Sequence, residues 1–285
     1  MKFVLPPSRR IILLALTFIF GMLVTSVISG LLTSIGGESR HVAMMRIAAV
    51  VQDLLMLVVP AVLTAVLVTR QPARLLAVDR APALIPSLLA IAVMLVASPA
   101  MSMIIGWNAS LHLPESMAAL EQSLRTMEEN AAGTVETMLG AHTAGNLIMS
   151  LLIVGLLAGF SEELFFRGAL QRLLSSGKSN GTAAVWIAAI VFSAVHFQFF
   201  GFVPRLLLGV YFGYLLLWSR SVWLPMLAHI VNNSLFVILR YATGSGEPDL
   251  GAAGSSWITV AVSIALTAGG IILLRRMLTA VKTEN

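Results

Sequence analysis

Residues 144–171 read AGNLIMSLLIVGLLAGFSEELFFRGALQ, an apolar run long enough to cross a bilayer and interrupted near its end by Glu162, Glu163 and Arg167. About 20 such residues in a helix span a hydrocarbon core of roughly 30 Å. Charge at that depth is costly and marks function more often than packing. One segment thus names both the solvent of the chain and the place to look for its chemistry.

The rest of the sequence agrees about the solvent. Apolar residues make up 58% of the 285 and charged residues 11%, with a mean hydropathy of +0.92, far from the composition of a soluble domain. Spans of transmembrane length recur at about 11–33, 47–69, 82–106, 144–171, 182–201, 203–219, 222–241 and 256–274. The expected fold is therefore all-α: a polytopic membrane helix bundle of about eight transmembrane helices, in a single domain, 1–285. The first span follows Lys2, Arg9 and Arg10 and exceeds a signal-peptide core, so it reads as a retained helix.

Lys and Arg concentrate in cytoplasmic loops. With the N-terminus inside, the inner flanks collect Lys2, Arg9, Arg10, Arg70, Arg74, Arg80, Arg172, Lys178, Arg220, Arg275, Arg276 and Lys282, which makes both termini cytoplasmic. The opposite side holds Glu115, Glu121, Glu128, Glu129 and Glu136 against one Arg125, and later Glu247 and Asp249, so about 107–143 is expected to be an acidic extracytoplasmic loop. Within it Met117, Leu120, Leu124 and Met127 recur at spacings of three and four, the pattern of an amphipathic helix packed over the ends of the spans. The net charge of +5 is then anchoring charge at the surface of the lipid bilayer.

Composition also excludes chemistry. With no cysteine there are no disulfides, thiolate nucleophiles or Cys-based zinc sites. Neither GxxxxGK[ST] nor a strand-borne GxGxxG occurs, so no nucleotide is expected, and no basic patch with interleaved aromatics points to nucleic acid.

Polar residues interrupt three spans in the second half. Glu163 and Arg167 stand at i and i+4 with the acid first, the favourable order for an ion pair on one helix face. Glu162 is rotated by about 100° from Glu163, so it need not share the arginine. One carboxylate is tied and the other is free to take a proton, as a general base must. Phe192 and His196 share a face at the same spacing, as do His229 and Asn233, and two donors so placed can hold a developing oxyanion. Pro225, four residues before His229, is expected to kink its helix and widen the bundle. Asp53, beside Gln52, is a further polar interruption, in the second span.

Depth tests whether these groups meet. At 1.5 Å per residue Glu162 lies roughly 15 Å from Arg172 and His229 roughly 14 Å from Arg220, whereas His196 lies about 27 Å from Lys178. The fifth span must therefore start deeper, tilt, or begin with SSGKSNG outside the bilayer.

The set EExxxR (Glu162, Glu163, Arg167), FxxxH (Phe192, His196) and HxxxN (His229, Asn233), in this order on successive spans, resembles the CAAX-protease and bacteriocin-processing family of intramembrane proteases, also called CPBP or Abi. The resemblance covers about 145–240, a catalytic core. It implies an intramembrane endopeptidase acting on a membrane-associated or lipidated peptide or protein, with Glu162 activating water, His196 positioning it, His229 and Asn233 stabilising the oxyanion, and Glu163 with Arg167 shaping the pocket. It also implies access from the cytosolic side, and it leaves two chemistries open: a metal-free glutamate mechanism, or a divalent metal such as zinc held by Glu162, His196 and His229. A non-catalytic immunity factor or scaffold of the same family is the alternative function, and a proton-coupled transporter using Glu162 and Asp53 is a third.

Overall fold

The computed structural model describes residues 3–140, 142–175, 181–243 and 256–280, apart from the side chains at 33 and 35–39. Lys2, Lys178, Glu247, Asp249 and Lys282, which entered the charge count above, lie outside the described residues. Regular structure among the described residues is helical, with one isolated bridge between Phe3 and Thr69.

Apolar runs dictate the helices, because in lipid every backbone N–H and C=O must be satisfied within its own segment. The chain starts with α1 (Pro7–Gln52), continues through a π-helical stretch (Asp53–Val58) into α2 (Val59–Val68), and passes α3 (Pro72–Leu75) to α4 (Leu84–Val96) and α5 (Ser98–Ala109). A straight helix would hold Thr17 and Thr64 about 70 Å apart at 1.5 Å per residue. Their hydroxyls are 3.4 Å apart, so the two apolar spans Pro7–Leu32 and Arg40–Val68 run antiparallel as a hairpin. At α4 and α5 the expected single span is bent by 48°. Pro99 has no N–H to give and its ring crowds the preceding turn.

There follow α6 (Ala118–Leu139), then α7 (Ala144–Ser150), a π-helical stretch (Leu151–Leu157), α8 (Ala158–Glu163) and a third π-helical stretch (Leu164–Gln171), which together form the segment 144–171, and then α9 (Arg172–Leu174). The last four helices are α10 (Gly181–Ala194), α11 (Phe202–Ser219), α12 (Trp223–Thr243) and α13 (Trp257–Ala280). Among the described residues, five helical spans are long and apolar enough to cross a membrane, six if α4 and α5 count as one span. Of the eight expected spans, α10, at 14 residues, is too short to cross alone, and α12 is less apolar because His229, Asn232, Asn233 and Arg240 lie along it. The chain is a multi-pass integral membrane protein with an all-α fold.

One end of the bundle gathers Arg10, Arg74, Arg80, Arg172 and Arg220. Arg172 donates to the Leu75 carbonyl at 3.1 Å, Ser221 to the Arg80 carbonyl at 2.6 Å, and Trp223 to the Val78 carbonyl at 3.0 Å. The other end is strapped by α6. Glu128 accepts the Phe200 N–H at 2.7 Å, the Arg125 guanidinium lies 3.8 Å over the Phe200 ring, Glu136 pairs with Arg240, and Arg46 donates to the Met138 carbonyl at 3.0 Å. The expected amphipathic helix exists, but it docks through these charged groups, while Met117, Leu120 and Met127 remain 42–50% exposed.

Candidate active site

Helix association in lipid has little hydrophobic drive, so close packing and buried polar bonds must hold the spans together. Gly209 and Gly213, in GVYFG, provide the close approach. A Cβ on Gly213 would stand 2.8 Å from Val185 Cγ1 and 3.0 Å from Gln171 Oε1, and one on Gly209 3.1 Å from Ala189 Cβ. The buried carbonyls of these glycines accept from Arg167 Nη2 at 3.0 Å and from Gln171 Nε2 at 2.9 Å. Thus α11 seats the residues that follow the two glutamates.

Glu163 and Arg167 are fully buried and joined at 2.7 Å. The same Glu163 oxygen accepts a hydrogen bond from His229 Nδ1 at 2.8 Å. That bond fixes the proton on Nδ1 and turns Nε2 toward Glu162, whose carboxylate lies 3.7 Å away. His229 therefore sits between two carboxylates, one tied to Arg167 and one not. Glu162 is 18% exposed against 0% for Glu163, so the glutamate without the arginine is also the one open to a substrate.

Aromatic rings wall this group. Phe212 stacks on His229 at 4.8 Å, Phe192 meets both His196 and His229 edge-on at 5.1 and 6.1 Å, and Arg167 lies 4.5 Å over Phe192. Low-dielectric walls strengthen every charge interaction inside them. Glu163 Oε2 and Arg167 Nε are buried without a hydrogen-bond partner among the described residues, polarity that folding alone would discard.

His196 is not on the expected helix. That span was read to run to 201, but α10 ends at Ala194 and His196 lies in the turn beyond it, where Phe197 takes φ +53°. The ring is held by its Nδ1 on the Phe192 carbonyl at 2.7 Å and lies within electrostatic reach of Glu162 and His229. With α10 only 14 residues long, this turn reaches the site depth that the count from Lys178 put in question. Asn233, one turn beyond His229, donates to the Val154 carbonyl at 3.2 Å and keeps its second amide hydrogen. Pro225 falls in the first turn of α12, where its missing N–H has no intrahelical bond to lose, so the expected kink has no cause. Asp53 opens its π-helical stretch within electrostatic reach of Glu162. All three π-helical stretches border this region, a geometry that often accompanies functional sites.

The structure thus brings together Glu162, Glu163, Arg167 and His229, with His196 and Asp53 within electrostatic reach of Glu162 and Asn233 one helical turn from His229, bonded to Val154. Sequence reasoning missed Phe212, Gln171 and the two glycine carbonyls; the small-xxx-small spacing at 209–213 was the available signal. The metal set fits less well. His196 and His229 each keep an Nε2, as ligating histidines do, but among the described residues no three His, Asp or Glu groups converge closely enough to hold an ion.

Residues 144–235 match the family model described as type II CAAX prenyl endopeptidase Rce1-like. A similar protein is uncharacterized protein YpbD of Bacillus subtilis (strain 168), 27% identical over 93 residues, which cover 31% of this chain and 44% of that protein. The chain thus spans less than half the length of the curated relative it matches. No solved structure matches. The matched stretch contains the EExxxR, FxxxH and HxxxN motifs, so over residues 144–235 the chain is similar to Rce1-like proteins.

Proposed function

We propose that this protein is an intramembrane endopeptidase in which Glu162 activates water against a peptide bond of a membrane-associated peptide or protein. The observation that carries the reading is His229 held between two glutamates, 2.8 Å from Glu163 and 3.7 Å from Glu162, with Arg167 on the far side of Glu163. With a proton on each His229 nitrogen, Arg167, His229, Glu162 and Glu163 sum to zero charge, the condition under which such a group is tolerated at membrane depth.

Glu162 takes a proton from a water molecule as its oxygen attacks the scissile carbonyl carbon. The carbonyl becomes an alkoxide that accepts from His229 Nε2–H and from the Asn233 amide hydrogen not bonded to Val154. Negative charge passes from Glu162 to the alkoxide, so the set stays neutral through the step. Glu162 then returns the proton to the leaving amine nitrogen as the C–N bond breaks, giving a carboxylic acid and an amine, and the acid passes its proton to the amine to leave a carboxylate and an ammonium. Glu163 and Arg167 touch no reacting atom; they hold the His229 ring in register, as the buried carboxylate of a catalytic triad does. His196 positions the water from the Phe192 side.

The reading is tested by comparing membrane peptides of cells that carry the intact chain with those of cells that carry Glu162→Gln. Uncleaved precursors accumulate only in the variant if the reading is right. Identical peptide sets at equal protein levels contradict it.

A further inference from the structure

A cavity of about 320 Å³ opens beside the site, lined by Phe18, Met22, Thr25, Ser26 and Ser29 of α1, by Gln52 and Met56, and by Val195 and Phe197 of the turn after α10. Its position follows from the elements that form it. Gln52 precedes Asp53 and Met56 stands one turn after it, while Val195 and Phe197 flank His196, so two residues within electrostatic reach of Glu162 have near neighbours in the cavity wall. Counted at 1.5 Å per residue from the arginine-flanked end, Glu162 is roughly 18 Å deep from Leu174, and the α1 wall runs from about 17 Å at Phe18 to about 33 Å at Ser29 from Pro7. The cavity begins at the level of the base and extends toward the end strapped by α6. That is the end opposite to the one from which cytosolic access was expected.

The lining also selects the occupant. Thr25 and Ser26 both donate their hydroxyl hydrogens to the Met22 carbonyl, at 3.0 and 2.9 Å, which leaves their oxygens as acceptors. The Gln52 amide makes no hydrogen bond among the described residues and offers both a donor and an acceptor. Acceptors on one wall and an amide on the other match the alternating N–H and C=O of an unwound peptide, while Phe18, Met22, Met56 and Phe197 cover its apolar side chains. An acyl or isoprenoid chain would leave the amide and both hydroxyl oxygens unpaired, a penalty for the site.

We propose that this cavity binds an extended, apolar segment of the peptide substrate on the α6 side of the scissile bond, and that substrate enters laterally there between α1 and the turn that carries His196. The assignment rests on the endopeptidase reading and deepens it. Phe197, 67% exposed at the mouth, is the residue a passing chain meets first.

The test uses the full chain in phosphatidylcholine liposomes with a synthetic 20-residue apolar transmembrane peptide, unwound centrally by Ser-Gly and carrying a photoreactive phenylalanine. Met22→Trp fills the cavity, Gln52→Leu removes the amide, and Ile272→Trp, on the exposed face of α13, is the control. Crosslinks from this peptide to a Glu162→Gln protein are expected on residues 18–29 and 52–56 and lost with Met22→Trp added. Crosslinks elsewhere, or unchanged by Met22→Trp, overturn the assignment. In cleavage, Gln52→Leu is expected to raise KM by about fivefold, the worth of one hydrogen bond of about 1 kcal/mol. Met22→Trp should raise KM further, each with kcat kept within about twofold and Ile272→Trp unchanged. If cleavage stops with Glu162→Gln but both cavity variants match the parent, the cavity assignment fails and the endopeptidase stands. If Glu162→Gln still cleaves, the endopeptidase mechanism fails whatever the crosslinks show. Phospholipid that co-purifies in the cavity and is displaced by Met22→Trp without a change in KM makes it a lipid site and overturns the proposal.

Discussion

Replacing Arg167 by Met tests whether the buried charges are one unit. Arg167 and Glu163 are both 0% exposed, bonded at 2.7 Å, and the arginine also donates to the Gly209 carbonyl and lies over Phe192 at 4.5 Å. Met keeps much of the length and all of the apolarity but leaves Glu163 charged, buried and held only by His229. Removing one partner of a buried pair costs about 3–5 kcal/mol, most of it the stranded charge rather than the lost bond. Adding Glu163→Gln removes that charge, so the double variant should be less destabilised than the sum of the single variants by at least about 2 kcal/mol. The assay is reversible denaturant unfolding in detergent micelles for the parent, both single variants and the double. An interaction energy below about 0.5 kcal/mol would mean the two residues act independently, and the account of Glu163 as a carboxylate shared between Arg167 and His229 would fail.

Three further outcomes follow from particular contacts. Asn233→Ala should lower kcat by about 10²–10³-fold, the usual effect of losing one oxyanion donor, with little change in KM; a loss confined to stability would make Asn233 a structural tie to Val154. At Gly21 a Cβ would stand 2.3 Å from the Leu55 carbonyl oxygen, which belongs to backbone and cannot swing aside, whereas Gly30 has nothing within 4 Å. Gly21→Ala should therefore destabilise by about 1–3 kcal/mol, while Gly30→Ala should be neutral or stabilising by up to about 1 kcal/mol; equal unfolding midpoints would contradict the hairpin packing. In the strap, the Leu113 N–H and then Arg125 hold the Glu121 carboxyl down to about 2 from 4.5. A depressed folded value means that its contribution to strap stability is complete above pH 4.5 and is lost as pH falls toward 2. A ¹³C carboxyl titration should find the midpoint near the lower value, and a midpoint at 4.5 would refute these bonds.

Much of this was legible in the sequence because it depends on local spacing. The i, i+4 rule paired Glu163 with Arg167 and left Glu162 apart, and the structure keeps that division. Helical spacing also put His229 and Asn233 on one face. Non-local facts were not legible. Nothing in LAHIVNN says that His229 Nδ1 meets a glutamate 66 residues earlier, which recasts Glu163 from the arginine's partner into the group that orients the histidine. His196 was misplaced on a helix because VFSAVHF is apolar enough to continue one, while the turn is set by the bonds of Phe199 and Val203 to Asn108 and of Phe200 to Glu128. The strap failed in the same way. Periodicity showed a helix with an apolar stripe but not that its charged residues would find Phe200 and Arg240 across the bundle end.

The central claim is that Glu162 is the base. Purified protein and a Glu162→Gln variant of equal unfolding midpoint, reconstituted in liposomes with a precursor identified from cells, give the direct test. The account predicts specific cleavage by the parent, with one oxygen from labelled water in the new carboxyl terminus, and none above background by the variant. Cleavage by the variant at a rate near that of the parent would contradict it.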